Sequence, residues 1–163
     1  MDLLGLLLMV GQAASPAAPA DVTQEDIAAI TAEAAEVANI YADCAGFWDF
    51  MSSTERTAGR PASAEQLKNM GNGAQTAALW LHGQAYSFTA TKPARYGDWL
   101  PMVAPRREGA AIKIAAMAEH GKTELIRSEA RRCEALLEGQ QRAIDDIRKD
   151  SVQRQLDAAP AGR

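Results

Sequence analysis

Between residues 27 and 51, Ile27, Ile30, Ala34, Val37, Tyr41, Cys44, Trp48 and Met51 recur at alternating steps of three and four. That spacing lays one unbroken apolar seam along a helix, since 3.6 residues complete a turn. Ile40, Phe47 and Phe50 widen the seam toward its C-terminal end. The rest of the chain is therefore expected to be arranged around this helix, which needs cover over a broad face.

The remaining sequence supplies helices and no strands. Val, Ile and Thr nowhere alternate with polar residues over strand length, and alanine is abundant. Thr23 is a good N-cap for the first helix and Asp26 stands three residues on, a near capping box. Glu25 and Asp26 also suit the positive end of the helix dipole. The helix is expected to run to about residue 54, where Thr57-Ala58-Gly59-Arg60-Pro61 breaks it. Ser63-Ala64-Glu65-Gln66 reads as a capping box opening a second helix, with Leu67, Met70, Ala74, Ala78, Leu81, Ala85 and Phe88 as its seam. A third helix is predicted over residues 105–120, stopped by Gly121, and a fourth, uninterrupted, over residues 123–156. The fourth seam is Ile126, Ala130, Cys133, Leu137, Gln140, Ile144 and Ile147. The expected fold class is all-α, a four-helix bundle, in a single domain spanning residues 21–163.

Residues 1–20 read as a signal peptide. Residues 3–10 are almost wholly apolar, and small residues with prolines follow, ending in Ala18-Pro19-Ala20. One departure is that no Lys or Arg precedes the apolar run. The run is far short of the ~20 residues that span a bilayer, so no stable membrane span is expected in the mature form. The expected location is periplasmic or secreted. Behind an export signal, the two cysteines, Cys44 and Cys133, are expected to form a disulfide closing the first helix onto the last. Neither has a second cysteine nearby, which excludes a Cys-x-x-Cys redox site, haem attachment and a cysteine zinc site.

Charge is unevenly spread. Up to Glu55 there are nine acidic residues and no Lys or Arg; thereafter 17 basic residues face 12 acidic ones. The acidic first helix is thus expected to lie against a basic remainder. Without a dense Lys/Arg stripe the chain is not expected to bind nucleic acid.

Motifs for chemistry are missing. His82 and His120 lack facing partners at ligand spacing, no serine stands in a nucleophile elbow, and Gly71-Asn72-Gly73 lacks the strand–loop–helix setting of a phosphate loop. The expectation is a non-enzyme without cofactor or metal. Residues 92–107 combine Pro93, Gly97, Pro101 and Pro105 with aromatic and basic side chains. Arg95, Tyr96, Trp99, Arg106 and Arg107 are the expected partner-binding residues of a loop there, toward an envelope protein or an anionic envelope polymer. The competing expectation is that Trp99 folds back to plug the end of the bundle.

The run Cys44-Ala45-Gly46-Phe47 resembles the Cys-x-Gly-aromatic element of a family of exported, all-helical immunity proteins in bacteria. The resemblance covers four residues and implies an inhibitor that blocks an exported enzyme. The leading expectation is a protein-binding or structural module of the cell envelope. The alternatives are that inhibitor, or a small-molecule carrier with a cavity lined by Gly71, Ala74, Ala78 and Trp80.

Overall fold

The computed structural model describes residues 23–90 and 95–158; the expected signal peptide, Lys92 and Pro93 lie outside them. The chain forms α1 (Gln24–Thr57), α2 (Pro61–Ser87), a 3-10 turn (Tyr96–Trp99), α3 (Leu100–Glu119), α4 (Thr123–Glu134) and α5 (Leu137–Ala158). The fold is an all-α, four-helix bundle whose fourth helix is broken in two, with no strand among the described residues.

The N-terminus of α1 carries a full capping box. The Asp26 N–H donates to the Thr23 hydroxyl at 3.1 Å, and the Asp26 carboxylate accepts from the Thr23 N–H at 3.0 Å. Those Thr23 hydrogen bonds hold the exposed Asp26 carboxyl below its ordinary range. At the other end, Gly59 takes φ 75°. Its N–H donates to the Arg56 carbonyl and that of Arg60 to the Glu55 carbonyl, which satisfies two orphan acceptors of the last turn. Gly121, at φ 65°, ends α3 the same way, with Gly121 donating to Ala118 and Lys122 to Met117.

α1 is the helix the others surround: α2, α3 and α4 all pack on it, while α5 packs on α2. Tyr41, Ala42 and every residue from Cys44 to Trp48 are buried, so this stretch has no solvent face except at Asp43. Small residues make the packing close. A Cβ on Gly46 would sit 2.1 Å from the Arg107 carbonyl oxygen, and one on Gly71 would sit 3.1 Å from that of Ala45. Backbone thus meets backbone where α1 crosses α2 and α3, and this is why the glycines stand there despite costing about 1 kcal/mol each in helix propensity.

Three expected boundaries are corrected. α2 begins at Pro61, two residues before the predicted Ser63 cap, because proline is preset for the first helical turn, where its missing N–H costs nothing. Residues 100–104, expected to precede the third helix, belong to α3, which starts at Leu100 with Pro101 in its first turn and carries Pro105 inside. The fourth helix is interrupted at Ala135 and Leu136 with neither Gly nor Pro present. There the Tyr41 hydroxyl reaches the Leu136 carbonyl at 3.3 Å. Gly139 leaves room for that ring, since a Cβ would stand 2.5 Å from the Tyr41 oxygen. The Leu136 carbonyl also accepts from the Gln140 N–H at 2.9 Å, so the hydroxyl adds a second donor where α5 begins.

Cys44 and Cys133 are joined, with Sγ–Sγ 2.07 Å and Cα–Cα 5.3 Å, and both are 1% exposed. The bridge ties the middle of α1 to the last turn of α4, so the fourth segment is held covalently just before its break. Around it lie Phe47, Trp48, Ala74, Ala78, Leu81, Val103 and Ile114, which form one core.

Candidate functional site

The end of the bundle where α2 runs out is built differently. His82 is buried on α2, one turn before Tyr86. The 3-10 turn brings Trp99 over this face. The Trp99 ring stacks on His82 with planes 5° apart and centroids 6.4 Å apart, and it meets Tyr86 edge-on at 5.5 Å. Burial pushes the His82 imidazole below its ordinary 6.5, so the ring is neutral at pH 7. His82, next to the seam residue Leu81, is the platform on which Trp99 of the 3-10 turn stacks. His120 is exposed at the end of α3.

Among the described residues, four of the seven large apolar residues that stay exposed belong to the two segments meeting at Trp99: Tyr86, Phe88, Leu100 and Met102, the last 60% exposed. Tyr96 and Trp99 are half-buried. Arg95 is exposed, and no described residue pairs with its guanidinium. The sequence placed Phe88 in the α2 seam, but the helix stops at Ser87 and leaves its ring 47% exposed. Leu100 and Met102 were missed altogether. Their signal is an apolar pair flanking Pro101, off every seam.

The expected binding residues are therefore split. Arg95, Tyr96 and Trp99 share the aromatic end, whereas Arg106 and Arg107 turn back to α1. Arg106 donates to the Asn39 carbonyl at 3.1 Å and to the Asp43 carboxylate at 2.9 Å. Arg107 grips Asp49 with two parallel bonds of 2.6 and 2.7 Å, and also donates to Gln75 and Asn72 of α2. Lys68 adds a third donor to Asp49 at 2.9 Å. Burial raises the Asp49 carboxyl, but the bonds from Arg107 and Lys68 together outweigh it and leave it below the ordinary range. The acidic first helix thus does lie against basic partners, and Arg107, its side chain 12% exposed, is part of the packing.

The small residues of α2 are likewise absorbed. Ala74, Ala77 and Ala78 are fully buried, Gly71 is filled by Ala45, Arg107 and Asp49, and a Cβ on Gly73 would overlap Gln140 of α5. Close helix packing thus accounts for the residues expected to line a cavity beside α2. Among the described residues no three His, Cys, Asp or Glu side chains gather as a metal site. Cys44, Gly46 and Phe47 of the immunity-protein element are all spent on the core. Comparison with family models, curated proteins and solved structures returns no match.

Proposed function

We propose that this is a non-enzymatic, exported protein of the cell envelope that docks a partner protein on its aromatic end. The observation that carries the reading is that Tyr86, Phe88, Leu100 and Met102 stay exposed on the two segments joined by the Tyr86–Trp99 ring contact. Aromatic and Met side chains on a rigid support are what interface centres are made of. A protein partner is favoured over an anionic polymer because Arg106 and Arg107 are committed to Asp43 and Asp49, which leaves Arg95 as the described cation beside the patch. Export is supported by the leader-like residues 1–20 and by a disulfide of the kind that persists in oxidising compartments. No helix among the described residues is long and apolar enough to cross a membrane.

The test is affinity retention from an envelope extract on immobilised protein, run beside Met102→Asp and Trp99→Ala, followed by binding of the purified partner. Loss of one partner from both variants is the expected result. A partner retained equally by all three overturns the docking site. Recovery of the native chain from the cytosol with both thiols free overturns export.

A further inference from the structure

A groove of about 350 Å³ runs between α1, α3 and α4, away from the aromatic end. Each helix gives it one strip at helical spacing: Asp43 and Phe47 from α1, Arg106, Gly109, Ala110, Lys113 and Ile114 from α3, Glu129 and Arg132 from α4. The size falls within the range of small-ligand sites. Phe47 and Ile114, 2% and 4% exposed, close the floor.

The rim is charged and does not balance. Arg106 is paired with Asp43 at 2.9 Å and Arg132 with Glu129 at 2.5 Å. Lys113 is exposed and has no partner among the described residues. Three cations thus face two carboxylates, each already matched, and one ammonium is left over.

Gly109 makes the groove. Gly46, Gly71, Gly73 and Gly139 each have a neighbour where a Cβ would go, whereas Gly109 has nothing within 4 Å, lies in mid-helix and has no positive φ. Neither packing nor a turn accounts for it. Its missing side chain leaves open the space between Arg106 and Lys113, which stand on the same face of α3. The walls are fixed from behind, because Asp43 and Arg132 are the neighbours of Cys44 and Cys133 in the disulfide.

We infer that this groove binds a small organic monoanion, a carboxylate with a short apolar body. The carboxylate pairs with Lys113 at the rim and the body lies over Gly109 and Ala110, above the covered Phe47 and Ile114. One spare positive charge selects this class over a cation, which Lys113 would repel, and over a neutral molecule, which gains nothing from the ammonium. The site is independent of the aromatic end and of the docking proposed there.

The experiment is calorimetric titration of the protein at low salt with octanoate, octanamide and octylammonium. Octanoate is expected to bind one per chain, octanamide about tenfold more weakly, as loss of one charge-assisted contact implies, and octylammonium not at all. Lys113→Gln should bring octanoate down to the octanamide level. Gly109→Leu fills the groove with a better helix former, so it should abolish binding while the melting temperature holds or rises. Trp99→Ala should leave octanoate binding unchanged. Absence of octanoate binding, equal affinity for octanoate and octanamide, or unaltered binding by Gly109→Leu would overturn the inference.

Discussion

Where α1 crosses α2 and α3, glycines let backbone touch backbone and a two-bond Arg107–Asp49 pair covers the contact, while a disulfide ties the same stretch of α1 to α4. Where α2 ends, Trp99 of the 3-10 turn stacks on one neutral histidine and meets Tyr86 edge-on. The first contact has no room to adjust: adding a methyl group to Gly46 would require a helix to move. The second is made of side-chain faces that can slide. A chain that sets its core with backbone contacts can leave large apolar side chains at its end, because the core does not depend on them. Local stability is accordingly expected to be highest at Cys44 and lowest toward Trp99.

The largest effect should come from cutting the first region's covalent tie. Reduction of the disulfide, or Cys44→Ser with Cys133→Ser, is expected to cost up to about 4–5 kcal/mol on the chain-entropy model for a bridge of this span. Denaturant titration measures the loss, and circular dichroism should show the helices retained. An unchanged midpoint would place the stability of the crossing wholly in its packing.

A matched pair of tryptophan substitutions comes next. Trp48 is 5% exposed, T-stacked on Phe47 at 4.8 Å, and its indole N–H finds no acceptor among the described residues, so its contribution is packing. Trp48→Ala should cost about 3–5 kcal/mol. Trp99→Ala should cost less, about 1–2 kcal/mol, since it loses two ring contacts but only the burial of a half-buried side chain. Equal losses would erase the distinction between the two regions.

The smallest effect is one of pH. Burial depresses the folded-state pKa of His82, so the unfolded chain binds the proton more readily. Its stabilising contribution is therefore full above the unfolded value near 6.5 and fades as pH falls below it through the folded value. Melting followed from pH 7.5 to pH 5 should show a downward trend that His82→Gln reduces, and Trp99 fluorescence should respond first. The same slope in both proteins would remove His82 from the account.

The seam of α1 was legible because its period is long and regular, and the pairing of Cys44 with Cys133 was suggested by two seam positions and a leader-like N-terminal sequence. The acids of the first helix met basic partners as the charge asymmetry suggested. Pro105 misled: it reads as a helix start, yet it lies within α3, whose N-terminus is drawn back to Leu100 beside a Trp99 anchored on another helix. The break at Leu136 had no local signal, since its correlate is Tyr41, 95 residues away in sequence. The aromatic end was half visible. Composition marked Tyr96 and Trp99, but the partners of Arg106 and Arg107 depend on how helices cross, which no local pattern records.

The cystine also makes a closed ring of residues 44–133, from which the first part of α1 and all of α5 leave as two arms. Tension applied to the ends of the chain runs along α1, through the sulfur–sulfur bond and out along α5. α2 and α3 lie inside the ring and bear none of that load. Pulled with the bond intact, the protein yields only its arms; reduced, it can release a further span of about 300 Å at the extended-chain rise per residue. In a compartment where the bond persists, the enclosed helices are mechanically shielded from their own termini.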